Sequence, residues 1–407
     1  MRVLLADRLH PLATQALTDA GFDWKMDASL AADTLREAIL DFNPHVLVVR
    51  STRVTADHVH IGGALSLVVR AGAGVNTIDL AACSDAGIFV GNCPGRNAVA
   101  VAELTMGLMI AIDRQIADNV QELREQRWDK KRFSKADGLK GKTLGLLGMG
   151  RIGQAVARRA KSFDLDVVAW SRSLTPETAV AHGVRYAATP TDVAAQAHIL
   201  SVHLAATDET RGMLNRELFA AMPDGAVILN TSRAELIDED ALLDAIDNRG
   251  FRAGLDVFVG EPQEKQCAFE HRLAQHPAVY GTHHIGASTT QAQMAVAQAV
   301  VESVISFRQT GSVPHGVNLA QRGRASHCLV LRHLDRVGVL AAVLDIVRAE
   351  GRNIQEMDNI LFQGGNAACA RIQLDGSLGD EAMDTIRQRP HILHASVLAI
   401  PSDKETS

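Results

Sequence analysis

The stretch TLGLLGMGRIGQAVARRA, residues 143–160, limits the possible folds of this chain more than any other part of it. Gly148, Gly150 and Gly153 form a G-x-G-x-x-G pattern between an apolar run and a helical pattern. In a strand–turn–helix unit the first glycine permits the tight turn, the second lets a pyrophosphate approach the backbone, and the third lets helix and strand pack closely. The free N–H groups at the start of the helix can then bind phosphates. The stretch therefore predicts a dinucleotide-binding unit.

Two series of apolar runs make up most of the chain. In the first, RVLLAD, HVLVVRS, LSLVVRAG and GIFVGN alternate with helical patterns up to about residue 92. The second begins at Thr143 and contains TLGLLG, DVVAWS, HILSVHL, AVILNTS, FRAGLDVF and AVYGTHHIG. Alternation of buried strands with helices is typical of a doubly wound parallel sheet. We therefore expect an α/β protein with two doubly wound, Rossmann- or flavodoxin-like domains.

The C-terminal part of the chain has a different pattern. After a Gly- and Pro-containing stretch at 309–326, the predicted elements over residues 327–400 run strand, helix, two strands, helix, strand. The order βαββαβ is that of a ferredoxin-like domain. We expect a small third domain at 327–407, preceded by a linker at 319–326.

Composition and charge narrow the class of protein. The net charge is −6, which opposes a nucleic-acid or anionic-membrane partner because both favour a basic face. The apolar runs are too short or too interrupted to cross a membrane. The five cysteines are scattered without a C-x-x-C pair, so the pattern predicts neither a disulfide framework nor a metal site. We expect a soluble cytoplasmic protein.

The residues after the run DVVAW bear on the choice of cofactor. NAD-binding units usually carry Asp or Glu at this point, where the carboxylate accepts hydrogen bonds from the ribose hydroxyls. This chain has Ser171 followed by Arg172, and a hydroxyl beside a guanidinium can receive a 2′-phosphate. Arg172 can equally be a solvated loop residue. The pattern leaves both NAD and NADP open.

Three polar features follow strands of the second series, at the strand ends where open α/β sheets bind ligands. They are Arg233 after AVILNTS, Glu261 after GLDVFVG, and His283 with His284 after AVYGT. A guanidinium can hold a substrate carboxylate, an imidazole can exchange a hydroxyl proton, and a carboxylate can orient that imidazole. Each residue alone can be structural, but together they predict a site for hydride transfer. Only one of the two histidines can face the cleft, because successive strand side chains point to opposite faces.

At this point the sequence resembles a known family. The segments LLGMGRIG, NTSRAELIDEDAL, GLDVFVGEP and HHIGAST together resemble the D-isomer-specific 2-hydroxyacid dehydrogenases. The likeness covers nearly the whole chain and, with RWDKKRF, is strongest to members that oxidise 3-phosphoglycerate for serine synthesis. It implies an NAD(P)-dependent oxidoreductase. It also implies a substrate-binding domain made of residues 1–98 and 287–318, a dinucleotide-binding domain at 99–286, and a cleft that closes between them.

The resemblance further implies roles for single residues. It makes Arg233 the anchor of the substrate carboxylate, His284 the acid–base and Glu261 its partner, while His283 falls where relatives commonly have proline. The implied cofactor contacts are Gly148, Gly150, Arg151, Ile152 and Gly153 at the pyrophosphate, Ser171 at the ribose, and Thr231, Ser232 and Asp256 near the nicotinamide.

A substrate phosphate requires cations. Arg50 in VVRST is one candidate, and Arg53 is its rival because RSTRVT is one residue shorter than the corresponding family segment. Lys130, Lys131 and Arg132 form a second candidate group, contributed by a neighbouring subunit, although a solvated helix face explains this run slightly better. The resemblance adds three further substrate contacts, namely Gly74, Val75 and Asn97.

The segment LRHLDRVGVLAAVLDIVRAEGRNI resembles the start of an ACT domain, a module that commonly binds an amino acid at a dimer interface. This implies a homodimer or homotetramer and an amino-acid effector, L-serine, near His333, Asp335 and Asn353. Asp335 stands where serine-sensitive members often have Asn, and Val337 replaces the usual proline. A domain that only dimerises is therefore the alternative.

Three functions stay open on the sequence. The favoured one is oxidation of 3-phosphoglycerate. A glyoxylate/hydroxypyruvate reductase is the first alternative, which the pair Ser171–Arg172 supports. The second alternative is an amino-acid sensor built on an inactive dehydrogenase scaffold, and the presence of Arg233, Glu261 and His284 argues against it.

Overall fold

The structure is a computed structural model that describes residues 1–61, 63–262, 266–320 and 325–401. The chain divides into two compact units, Met1–Asn318 and Leu319–Ser407. The first unit contains two parallel sheets and the second contains one antiparallel sheet. No helix in the described part of the chain combines the length and hydropathy needed to cross a bilayer.

The first sheet has five parallel strands in the order β2-β1-β3-β4-β5. Its strands are β1 (Arg2–Leu5), β2 (Asp23–Met26), β3 (Val46–Val49), β4 (Leu67–Arg70) and β5 (Phe89–Asn92). The helices between them are α1 (Pro11–Asp19), α2 (Ala32–Phe42), α3 (Ala56–Val59) and α4 (Leu80–Asp85). Four of these strands match predicted apolar runs. The strand β2 was not predicted, because its sequence DWKM lies at the sheet edge and is largely exposed.

Three helices lead to the second sheet: α5 (Ala98–Arg114), α6 (Ile116–Arg124) and α7 (Lys130–Phe133). This sheet has seven parallel strands in the order β12-β11-β10-β9-β6-β7-β8. The strands are β6 (Thr143–Leu147), β7 (Asp166–Trp170), β8 (Arg185–Tyr186), β9 (Ile199–Val202), β10 (Val227–Asn230), β11 (Arg252–Leu255) and β12 (Val279–Gly281). The connecting helices are α8 (Arg151–Lys161), α9 (Pro176–His182), α10 (Pro190–Ala194), α11 (Arg216–Ala221), α12 (Glu239–Arg249) and α13 (Arg272–Gln275), with a 3-10 helix at Ala234–Leu236.

Two long helices cover these sheets. The helix α5 packs closely on β11, since a side chain at Gly254 would come within 3.1 Å of Leu108 and 3.0 Å of Ile112. The helix α14 (Thr290–Thr310) returns to the first sheet, where Val300 and Val304 are fully buried in the same core as β1 and β3. The predicted α/β class with parallel, Rossmann-like sheets is thereby confirmed.

The segment after α14 continues along the first sheet. Val317 donates its N–H to the carbonyl of Val90 at 2.8 Å, and Asn318 Oδ1 accepts the N–H of Val90 at 2.8 Å. The predicted boundaries inside residues 1–318 stay a prediction, because the chain contacts group these residues into one unit. Residues 321–324 of the predicted linker lie outside the described residues.

The second unit contains β13 (His327–Leu334), α15 (Val339–Ala349), β14 (Ile354–Leu361), β15 (Ala367–Leu374), α16 (Asp380–Arg387) and β16 (Ile392–Ala399). Its antiparallel strands are ordered β14-β15-β13-β16. Both helices contribute to a core with the central strands, in which Leu331, Val343, Ile372 and Ile386 are fully buried. The element order is the predicted βαββαβ. Residues 402–407 of the predicted third domain lie outside the described residues.

Candidate active site

The glycine loop between β6 and α8 has the geometry that a dinucleotide requires. Gly148 has a φ of +104°, and a side chain there would meet the carbonyl oxygen of His203 at 2.4 Å. A side chain at Gly153 would meet the carbonyl oxygen of Gly148 at 2.0 Å. A side chain at Gly150 would meet nothing within 4 Å, and no side chain caps the helix that starts beside it. Open space in front of uncapped N–H groups fits a pyrophosphate.

The side chains that flank the loop have partners of their own. The Arg151 guanidinium donates to the carbonyl of Pro94, in the segment between β5 and α5. Ile152 packs against the apolar core beside α8. Ser171 and Arg172 follow β7, and Arg172 Nη1 lies 3.6 Å from Glu209 Oε2 with its side chain 87% exposed. Because its pair with Glu209 is exposed, the Arg172 side chain can turn toward a ligand with little loss of interaction energy.

The loop after β10 carries two buried hydroxyls that were candidates for cofactor contact. Thr231 Oγ1 lies 2.9 Å from Thr105 Oγ1 of α5, and Ser232 Oγ donates to Asn230 Oδ1 at 2.8 Å. The first bond connects the loop with α5, and the second shapes the main chain that leads to Arg233.

His284 and Glu261 form a hydrogen-bonded pair. The Nδ1–H of His284 donates to Glu261 Oε2 at 2.7 Å, and Glu261 Oε1 accepts the N–H of Phe258 at 2.9 Å. The side chains are 52% and 32% exposed, respectively. The Nε2 of His284 is thus left for a substrate, which is the arrangement of an acid–base histidine oriented by a carboxylate.

The two pKa shifts of this pair have one cause in common. The hydrogen bond to Glu261 raises the pKa of His284 above its ordinary value, against the opposing effect of burial. Burial by itself would raise the pKa of Glu261, but the hydrogen bonds from His284 and from the Phe258 N–H outweigh it and lower that pKa. Both shifts favour the imidazolium–carboxylate pair, so the histidine is prepared to act as an acid.

Asp256 holds the turn that carries His284. Its Oδ1 accepts from the Thr282 hydroxyl at 2.6 Å and from the N–H of Ile285 at 2.8 Å, while its Oδ2 accepts the N–H of Gly286 at 2.8 Å. The residue is 1% exposed. The carboxylate was a candidate for contact with the nicotinamide, and in this structure its hydrogen bonds go to the histidine turn.

His284 also borders a cleft of about 250 Å³. Arg50 at the end of β3 and Arg70 at the end of β4 line this cleft, together with Asn97 at the start of α5. His283 does not line it but faces, with His284 and Glu261, a separate cavity of about 940 Å³. Of the two adjacent histidines, His284 is therefore the one that the structure places beside the arginines.

Arg70 was not predicted, although it stands at a strand end like the residues that were. Burial lowers the pKa of Arg70, and the nearby charges of Arg233 and Arg50 lower it further. Its buried Nε has no hydrogen-bond partner among the described residues. A side chain at Gly72 would overlap the Arg70 guanidinium, 1.5 Å from Nη1, so Gly72 in RAGAG makes room for this arginine. This glycine was a signal that could have been used to find Arg70.

Arg233 faces the loop after β4. Its Nη1 donates to the carbonyl of Ser232 at 2.6 Å, and a side chain at Gly74 would come within 2.4 Å of its Nη2. The N–H groups of Gly74 and Val75 donate no hydrogen bond within the described part of the chain. A guanidinium and two free amides thus lie together, as a bound carboxylate requires.

The other candidate cations for a substrate phosphate lie outside this cleft. Arg53 lines a different cavity of about 700 Å³ with Arg36 and His58, so it does not compete with Arg50 for the cleft. Arg132 pairs with Glu122 at 3.2 Å, and neither it nor Lys130 or Lys131 lines the cleft.

In the second unit the predicted effector residues differ in how deeply they are buried. His333 is 1% exposed, with Nδ1 lying 2.8 Å from the carbonyl of Leu334 and Nε2 lying 3.2 Å from Asn359 Oδ1. Asp335 and Asn353 are exposed. His333 is therefore a buried residue whose two ring nitrogens face polar atoms of its own domain.

Comparison with known proteins agrees with this geometry. Residues 106–286 match the family model described as D-isomer specific 2-hydroxyacid dehydrogenase, NAD binding domain. The chain is 40% identical to a hydroxypyruvate reductase of Thermotoga maritima over 76% of this chain and 98% of that protein. The chain belongs to the D-isomer specific 2-hydroxyacid dehydrogenases, and residues 106–286 are its NAD-binding domain.

Within this family, one further relative and one solved structure are 3-phosphoglycerate dehydrogenases. The chain is 39% identical to a D-3-phosphoglycerate dehydrogenase of Methanocaldococcus jannaschii over 75% of this chain, but it spans only 57% of that protein's length. The NAD⁺-bound 3-phosphoglycerate dehydrogenase of Entamoeba histolytica is 26% identical, with a TM-score of 0.65 over 78% of this chain and 99% of that one.

Proposed function

We propose that this chain oxidises 3-phospho-D-glycerate to 3-phosphohydroxypyruvate with NAD, the first step of serine synthesis. The observation that carries the proposal is the group of three arginines, Arg50, Arg70 and Arg233, beside His284. A simple 2-hydroxy acid needs one guanidinium for its carboxylate. Two further guanidiniums suit a second anionic group, and a phosphate accepts hydrogen bonds from several of them at once.

The roles of the residues follow from their positions. Arg233 and the free amides of Gly74 and Val75 would hold the carboxylate, while Arg50 and Arg70 would hold the phosphate and Asn97 would line the cleft. Neutral His284 would accept the proton of the C2 hydroxyl during oxidation, and its imidazolium would return it during reduction. Glu261 would orient the ring and favour the imidazolium. NAD, when bound at Gly148, Gly150 and Gly153, supplies the hydride acceptor.

The alternative with a specific observation in its favour is reduction of hydroxypyruvate or glyoxylate. The alignment covers 98% of the hydroxypyruvate reductase relative, which is a more complete match than to the phosphoglycerate dehydrogenase. Such a substrate would leave Arg50 and Arg70 without a ligand group, and the buried Nε of Arg70 has no hydrogen-bond partner in the part of the chain that the structure describes. A sensor without catalysis would have no use for the His284–Glu261 pair.

The test is a panel of initial rates with NADH and NADPH on phosphohydroxypyruvate, hydroxypyruvate and glyoxylate, with and without L-serine. The variant Arg70→Met should raise KM for phosphohydroxypyruvate by about ten- to hundredfold, as expected for loss of a charge-assisted bond, and change KM for hydroxypyruvate little. Arg53→Met, which alters an arginine outside the cleft, is the matched control. Equal effects of Arg70→Met on both substrates would contradict the proposal, as would faster turnover of hydroxypyruvate than of its phosphate.

We further propose that the second unit is an ACT-like regulatory domain at 327–407 that binds an amino acid near His333, Asp335 and Asn353. The βαββαβ order of its elements supports this assignment. The same proposal includes a substrate-binding domain made of residues 1–98 and 287–318, a dinucleotide-binding domain at 99–286 and a linker at 319–326. It also includes a cytoplasmic homodimer or homotetramer. Use of NADP beside NAD would depend on the exposed Arg172.

A further inference from the structure

A second histidine–glutamate pair lies near the first. His271 Nε2 lies 3.2 Å from Glu239 Oε2, and the two side chains are only 13% and 21% exposed. Glu239 begins α12, and His271 directly precedes α13. The Nδ1 of His271 is buried and has no hydrogen-bond partner among the described residues.

Two consecutive backbone amides connect this pair to the first one. The N–H of Phe258 donates to Glu261 Oε1 at 2.9 Å, and the N–H of Val259 donates to Glu239 Oε1 at 3.3 Å. The main chain at 258–259 is thus held by one glutamate of each pair. Any movement of this segment would change the position of the Glu261 carboxylate.

Aromatic packing fixes the same segment from the other side. The His271 ring stacks on Phe269 with a centroid distance of 5.4 Å, and it meets the edge of Phe258 at 5.3 Å. Phe258 and Phe269 are themselves 5.7 Å apart. Phe258 is 7% exposed, and a side chain at Gly281 of β12 would lie 3.0 Å from its ring. The ring therefore connects His271 with the strand that leads to His284.

We propose that Glu239 and His271 are positioning residues, which hold the segment 258–259 so that Glu261 can orient His284. This inference rests on the proposed acid–base role of His284. The pair is well enclosed, so solvent weakens it less than an exposed pair. Removal of either partner leaves a largely buried polar group, and the segment would shift to rehydrate it. A small displacement of a catalytic group is enough to reduce turnover substantially.

Two variants separate this role from general stability. Glu239→Gln keeps the size of the side chain and an acceptor for the Val259 N–H but loses the charge. His271→Phe keeps the aromatic packing and loses the pairing. The matched control is Asp247→Asn, which breaks the pair between Asp247 Oδ1 and His276 Nε2, also 3.2 Å apart and also between α12 and the region of α13.

The first readout is the pKa of His284, measured by NMR titration of histidine-labelled protein, with the variant His284→Asn used to assign its signal. The second readout is the pair of steady-state constants, kcat and KM. Both test variants should lower the pKa of His284 by about half a unit and kcat by about three- to tenfold, with KM changed less than twofold. Asp247→Asn should behave like the wild type. The double variant should lose no more than the larger single loss, since both residues act through one segment.

The NMR titration needs no substrate, so its outcome is independent of which 2-hydroxy acid the enzyme oxidises. The proposal is overturned if both test variants titrate and turn over like the wild type. It is equally overturned if they only lower Tm, or if Asp247→Asn shifts the pKa of His284 by the same amount.

Discussion

Replacement of Glu261 by glutamine tests the chemistry of the site most directly. The change removes the charge that pairs with His284 at 2.7 Å. It preserves the size of the side chain and an oxygen that can accept the N–H of Phe258. The expected effects are a lower pKa of His284 and a slower proton transfer.

The size of the change in the pKa of His284 follows from the exposure of the pair that it forms with Glu261. Two unit charges about 4 Å apart attract by about 4 kcal/mol at an effective dielectric constant of about 20, and by about 1 kcal/mol in water. The His284 side chain is 52% exposed, which places the pair toward the weaker limit. About 1–2 kcal/mol of lost stabilisation corresponds to a fall of about one unit in the pKa of His284.

The assay is the pH dependence of kcat/KM in both directions. Oxidation requires neutral His284, so its rate rises as the pH passes the pKa of the histidine, whereas reduction requires the imidazolium and its rate falls there. Both limbs should move about one unit to lower pH in Glu261→Gln, and the plateau rates should fall about ten- to hundredfold because the ring is less well oriented.

The control for Glu261→Gln is Glu302→Gln, which removes an exposed pairing with Arg96 at 3.0 Å. That variant should keep the wild-type pH profile. If the limbs of the pH–rate profile do not move in Glu261→Gln, the raised pKa of His284 cannot be assigned to this hydrogen bond. An undiminished plateau would refute the orienting role of the carboxylate.

Two further predictions concern the glycine loop and the partly buried His203. Gly153→Ala should lower Tm by several degrees because its Cβ would lie 2.0 Å from the carbonyl oxygen of Gly148, whereas Gly150→Ala should fold normally and bind NADH more weakly in calorimetric titration. Burial lowers the pKa of His203 to about 4 from an ordinary value of 6.5, so only the unfolded chain takes up this proton between these pH values. The free energy of unfolding should therefore fall by up to about 3 kcal/mol from pH 6.5 to pH 4, and urea unfolding of His203→Gln should show a smaller fall.

The parts of the fold that were predictable are those with buried, continuous apolar runs. Strands such as β3 and β10 are buried along their whole length, so their sequences contain little besides Val, Leu and Ile. The exposed strand β2 and the helix α6, which has no buried residue, lack such a pattern. Their conformation depends on neighbours that are distant in the chain, as the pairing of β2 with β1 illustrates.

The candidate site was predictable where a polar residue lies in the loop after a strand of the second sheet. Arg233 lies in the loop after β10 and Glu261 in the loop after β11, and the structure places both near His284. Arg70 ends a strand of the first sheet, and its proximity to Arg233 arises only when the two sheets pack together. The pairing of Glu239 with His271 likewise joins a helix start to a distant loop. Single-sequence spacing contains no signal for the contact between Glu239 and His271, whereas Gly72 was a sequence signal for Arg70.

The choice between His283 and His284 has a different physical origin from the one expected. The strand β12 ends at Gly281, so neither histidine lies in a strand and alternation does not apply to them. His284 has a φ of +51°, in the left-handed region that costs a residue other than glycine about 1 kcal/mol. The two N–H groups that follow it donate to buried Asp256, and charge-assisted bonds of this kind contribute more than that cost. The buried carboxylate therefore stabilises a turn that the histidine would not adopt unaided, and that turn directs His284 toward Glu261.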